Sequence, residues 1–197
     1  MTRTGAGRLA GDGVDEARAR TTAARAAMAG CAGLLGYGWL KVAWGLGSTV
    51  GVRDVMAWNA RISELAGWQW FLAMWGTVLL DVVAAAMFVA LAASTVGSPT
   101  PASHRRLLRA LAWLGVLLTG PVGVIGLASV VGPVVGFGSN DEGPLATWVF
   151  VLVYGSLCVI GVSFAVAARA NARLDRKRRS APPCATAADE SRGNVTR

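Results

Sequence analysis

Apolar residues along this chain fall into four long blocks, approximately Ala26–Trp44, Trp70–Ala93, Ala110–Val131 and Ala146–Ala168, rather than into short amphipathic segments. A helix of roughly 20 apolar residues spans the hydrocarbon core of a bilayer at about 1.5 Å per residue, and the four blocks meet that length. The first is the weakest, because Gly30, Gly33, Gly36 and Gly38 interrupt it and Lys41 lies near its far end. Leu34, Leu35, Tyr37, Trp39 and Leu40 still supply enough apolar area for insertion. The pattern therefore predicts an all-α fold: an integral membrane four-helix transmembrane bundle occupying residues 26–168.

Between the first two blocks the pattern changes. Val55, Trp58, Ile62 and Leu65 recur at three- and four-residue spacing, with Asn59, Arg61, Ser63 and Glu64 opposite. That is one face of a short amphipathic helix, lying flat on the outer surface or capping the bundle mouth. The preceding GLGSTVGV, residues 45–52, is too glycine-rich to continue a helix and too apolar for a solvated loop. An interfacial turn is expected there, with a re-entrant segment as the alternative. Residues 1–25 and 169–197 have few large apolar side chains and are expected to be disordered tails.

Composition agrees: 54% of residues are hydrophobic and 15% charged, against about 25% charged in ordinary soluble domains. The formal net charge of +8 matters through its placement. Residues 1–25 hold five Arg against three acids, the 94–109 connection holds Arg105, Arg106 and Arg109 with no acid, and the tail from Arg169 holds eight basic residues against three acids. Residues 45–69 balance Arg53 and Arg61 against Asp54 and Glu64, while 132–145 carries only Asp141 and Glu142. Lys and Arg are retained on the cytoplasmic side of short loops, so an even number of spans with both termini cytoplasmic follows, in the inner (plasma) membrane. Nucleic acid is excluded as the meaning of the charge.

Trp44, Trp58, Trp68, Trp70 and Trp148 cluster at the outer ends, as headgroup-level rings do, and Trp113 lies near the inner face. Trp39 and Trp75 are deeper and are expected to pack between helices. The run containing Arg173, Arg176, Lys177, Arg178 and Arg179 suits contact with anionic lipid heads, although topogenic charge alone accounts for it. Cys31, Cys158 and Cys184 are too scattered for a disulfide framework, a redox pair or a zinc site, and the first 25 residues lack the apolar core of a signal peptide.

Ionisable residues inside spans are the candidates for chemistry. Lys41 sits near the outer end of the first block and Asp81 near the middle of the second. Either they pair across adjacent antiparallel helices, or Lys41 snorkels outward and Asp81 bonds a hydroxyl such as Thr77 or stays protonated. A structural contact fixing helix packing is the commoner role of such groups, and a substrate or proton site the rarer one. In the third block Gly120 and Pro121 are a candidate kink, with close helix approach expected at Gly120, Gly123 and Gly126. His104 has no nearby acid or cysteine in the sequence, so no metal, cofactor or catalytic residue is expected. No GxSxG, HExxH, P-loop or Rossmann fingerprint occurs.

The segment GYGWLKVAWGLGSTVGV, residues 36–52, resembles the first-helix motif of small actinobacterial four-helix membrane proteins of unknown function, in which an aromatic residue precedes Lys or His and Trp-x-Leu-Gly follows. Heavy Ala, Gly, Val and Arg usage with little Lys fits a high-GC source. The resemblance implies a four-helix integral membrane fold and no activity. If its motif is a site, the residues concerned are Trp39, Lys41, Trp44, Leu46 and Gly47. Two functional readings stand: a non-enzymatic structural or accessory membrane subunit, and a small transporter or proton-coupled carrier using Asp81 and Lys41. Convergence of Asp81, Lys41 and Pro121 on a wet cavity would favour the carrier.

Overall fold

The computed structural model describes residues 4–95, 101–134 and 144–180. The described residues are helical: α1 (Thr4–Gly45), α2 (Val55–Glu64), α3 (Gly67–Phe71), a π-helical turn (Leu72–Gly76), α4 (Thr77–Ala93), α5 (Ala102–Val134) and α6 (Thr147–Ser180). From α3 to α4 the chain is one continuous rod. Among the described residues three helices are long and apolar enough to cross a membrane: Gly67–Ala93, Ser103–Gly132 and Thr147–Lys177. The first block does not join them on composition, because its glycines, tryptophans and Lys41 dilute its apolar character. Its role is different. α1 lies between α4 and α6, while α5 packs on the other side of α6, so α1 and α6 each have neighbours on two sides.

An aromatic pair ties all four long helices together. Phe88 of α4 stacks on Phe164 of α6 with ring centroids 4.1 Å apart. Phe88 seats on Gly30 of α1 and Phe164 on Gly115 of α5, where a Cβ would fall 2.3 Å and 2.8 Å from the respective rings. The two glycines let two large rings enter where helices approach closely, burying Phe88 and Phe164 almost completely. Further along, the α5/α6 crossing runs through Gly123, whose Cβ position is 2.7 Å from the Cys158 backbone nitrogen, and Gly126, which faces the Tyr154 ring. At Gly120 the close approach has a different form. Its own Cβ position is open, but its backbone lies 3.0 Å from the Cβ position of Gly161. α5 continues through Pro121 as one helix.

The chain departs from the expected tails at both ends. α1 begins at Thr4 rather than after Arg25. Its early turns contain no proline, Arg20 pairs with Glu16 one turn before it, and Ala23, Ala26 and Ala27 are buried. α6 likewise continues past Ala168 to Ser180. Leu174 is buried, and Asp175 binds Arg109 at 2.8 Å and Arg105 at 3.4 Å, so this basic stretch is held by partners that its composition does not reveal. Residues 181–197, and the acidic Asp141 and Glu142, lie outside the described residues.

The loop after α1 is a stop and two turns. Gly47 adopts φ +86°, Ser48 N–H donates to Ala43 O and Gly47 N–H to Trp44 O. This is the left-handed cap that closes a helix C-terminus on glycine. Trp44 Nε1 then donates to Val50 O at 2.8 Å, and Val52 forms an isolated antiparallel bridge with Leu145. Arg53 N–H donates to Pro144 O and Ala146 N–H to Gly51 O, both at 2.8 Å, which fastens the loop to the start of α6. Gly51 combines φ +76° with a Cβ position 2.3 Å from Val149, so no other residue fits that turn without displacing α6. Segment 45–52 is therefore a pinned surface turn, with its backbone groups met at the bundle mouth rather than in a re-entrant excursion. α2 follows, capped by Asp54, whose Oδ1 accepts from Ala57 N–H at 2.9 Å.

Candidate functional site

α1 and α4 bring together the two charges of the apolar blocks. Lys41 Nζ lies 2.8 Å from Asp81 Oδ2, with side-chain exposures of 6% and 19%. Tyr37, one turn earlier on α1, places its ring 3.8 Å from the same ammonium, a cation–π contact that adds to the carboxylate. Gly38 completes the setting: a Cβ there would be 3.7 Å from Asp81 Oδ2, so the carboxylate lies against a helix surface without a side chain. The lysine turns inward and does not snorkel. The alternative partner for Asp81 is otherwise engaged, since Thr77 Oγ1 donates to Ala73 O at 2.6 Å and Met74 O at 2.9 Å. Those carbonyls belong to the π-helical turn, where the ladder is widened and a hydroxyl can serve it.

The expected kink residues do not join this pair. Pro121 is exposed on α5, and α5 packs on α6 rather than on α1. Trp75 does pack between helices, over Gly45. Trp39 does not: it is 49% exposed, because Leu40 and Lys41, one and two residues on, take the inward face. Within the Trp-x-Leu-Gly motif, Trp44 is buried, Leu46 is 74% exposed and Gly47 is the helix cap. The motif is thus a helix terminator that holds its tryptophan, and its spacing follows from where glycine must stand after the last turn.

At the mouth, Trp44, Trp58 and Trp70 form a chain of rings with centroids 5.4 Å and 5.9 Å apart. They line a cavity of about 220 Å³ with Ser48, Thr49 and Asn59. Trp58 therefore turns α2 toward the bundle mouth. A larger cavity of about 800 Å³ lies at the opposite end, between α1 and α6. Neither is lined by Lys41, Asp81 or Pro121. At that opposite end Ser94 Oγ donates to Asn171 Oδ1 at 2.8 Å, and Asn171 Nδ2 donates to Ala167 O at 3.0 Å, a latch between α4 and α6. Among the described residues no three His, Cys, Asp or Glu side chains gather as a metal site.

The Tyr37–Lys41 contact was open to sequence reasoning through its i, i+4 spacing. The π-helical turn and the double pairing of Asp175 had no comparable signal. Comparison with family models, with curated proteins and with solved structures returns no match, so the roles of these residues rest on their geometry.

Proposed function

We propose that this chain is a four-span integral protein of the plasma membrane with both termini cytoplasmic, and that it serves as a non-enzymatic structural or accessory subunit. The observation that carries this reading is the Lys41–Asp81 contact at 2.8 Å. Each charge is occupied by the other, Tyr37 covers the ammonium, and the pair lines neither cavity, which suits a clasp joining α1 to α4. A carrier would use these groups in a wet cavity, and convergence with Pro121 is lacking. Support for α1 as a fourth span comes from its position beside α4 and α6 and from the length of its apolar block, about 28 Å at 1.5 Å per residue. The bridge from Lys177 to Asp15 at 3.4 Å sets the beginning of α1 and the end of α6 at one end of the bundle, where the basic segments also lie.

Proton flux through the reconstituted protein is expected to match that of protein-free vesicles. A flux that Asp81→Asn abolishes would overturn the structural reading in favour of a carrier. Orientation is tested in intact cells after Cys31, Cys158 and Cys184 are replaced by Ala. A membrane-impermeant maleimide is expected to label Asn59→Cys and to spare Ser103→Cys until the membrane is opened, and the reverse pattern would refute the assigned sidedness.

A further inference from the structure

We propose that the 800 Å³ cleft between the early turns of α1 and the last turns of α6 binds an anionic glycerophospholipid of the cytoplasmic leaflet, its phosphate against Arg18 and Arg173. This rests on the membrane reading above. Two helix faces make the cleft. On α1, Arg18 and Thr22 line it, and on α6 Arg169, Arg173 and Arg176 are among the residues that do so, at three- and four-residue spacing. The floor is apolar, with Ala170 and Leu174 buried. The rim is basic: Asp15, its acid, is engaged by Lys177 at 3.4 Å, which leaves cationic excess on Arg18, Arg169 and Arg173.

Depth selects the occupant. Thr22 lies just before the first apolar block begins at Ala26, and Arg169 directly follows the end of the last at Ala168. The cleft therefore opens at the headgroup level and its apolar floor continues into the bilayer along Val166. Trp113, a ring suited to that same level, lies 5.9 Å from the Arg169 guanidinium. A phosphate with an acyl chain attached meets both surfaces at once, whereas a free anion uses only the rim. Basic pockets between helices on the cytoplasmic side recognise such headgroups.

The full-length protein in neutral detergent is titrated with fluorescent short-chain phosphatidylglycerol, phosphatidylcholine and, as competitor, inorganic phosphate. Saturable binding of phosphatidylglycerol, about tenfold or more tighter than phosphatidylcholine, is expected. Arg18→Gln with Arg173→Gln should weaken it by about tenfold or more, two cations near the phosphate being removed. Arg25→Gln with Arg106→Gln removes the same charge on the same side outside the cleft and should change it less than about threefold. Native mass spectrometry of protein extracted from membranes should find anionic lipid retained by the wild type and lost from the cleft variant. Equal weakening by both pairs, no preference between the two lipids, or competition by inorganic phosphate as effective as by lipid would each overturn the site. Extraction of the chain from membranes by carbonate would refute the membrane reading itself, whereas a chain that stays in the membrane but fails the titration refutes only the lipid site.

Discussion

Replacing Asp81 by Leu alone should lower the melting temperature of the detergent-solubilised protein by about 10 °C, and adding Lys41→Met to that variant should recover most of the loss. Removing one partner of a buried ion pair leaves an uncompensated charge and costs about 3–5 kcal/mol, and each kcal/mol moves the melting point of a chain this size by about 2–4 °C. Replacing both with apolar groups of similar volume is far milder, because no charge is then left to be desolvated. Lys41 is the more deeply buried of the two, with its side chain 6% exposed against 19% for Asp81. Stranding the lysine should therefore cost more than stranding the aspartate, so Lys41→Met alone should lower the melting point by less than Asp81→Leu alone. Thermal unfolding followed by circular dichroism in one detergent supplies all four corners of the cycle. Losses that add, with no recovery in the double variant, would show that the two side chains touch without acting as a unit.

Gly123→Val should be the most damaging of the interhelical glycine substitutions, lowering the melting point by about 5–10 °C. A Cβ at Gly123 meets the Cys158 backbone nitrogen at 2.7 Å. A backbone cannot rotate aside, so α5 must lift off α6, and forced overpacking of this kind costs about 1–3 kcal/mol. Gly126→Ala meets the Tyr154 ring at 2.2 Å, a side chain with some freedom to swing, and should cost less. Gly155→Ala has nothing within 4 Å of the new atom and should be tolerated or slightly stabilising, since Ala is the better helix former. The ordering is the test: similar melting points for all three variants would mean that the α5/α6 crossing does not depend on close backbone approach.

Four apolar blocks, an amphipathic helix at 54–65 and tryptophans at one end are all visible along the chain, because helix periodicity and apolar length are local properties. Three of the blocks become helices of membrane-crossing length and composition. The first becomes helical as well, yet its glycines mean something that hydropathy averages away. Gly30 and Gly38 are places where Phe88 and Asp81 of α4 come close, and Gly33 is where Ile160 of α6 does, so the glycines that weaken the apolar score are seats for neighbouring helices. Local composition fails in the opposite sense at the termini. Residues before Ala26 and after Ala168 look like solvated tails, but Ala23 and Leu174 are buried where α1 and α6 meet a neighbour.

The candidate site divides in the same way. Sequence alone singled out Lys41 and Asp81, since an ionisable side chain in an apolar block is costly wherever it ends up. It equally singled out Pro121, and offered Trp39 to Gly47 as a motif. Only the packing separates them: Lys41 and Asp81 meet across α1 and α4, Pro121 is exposed on another helix, and the motif is a helix stop around Gly47. The charge distribution follows the same division. Alternating basic and neutral-to-acidic segments are written in the order of residues, so which ends of the helices belong on one side can be counted directly. That the basic residues at one end form a cleft with an apolar floor depends on α1 and α6 lying side by side, a relation between positions about 150 residues apart that no local pattern encodes.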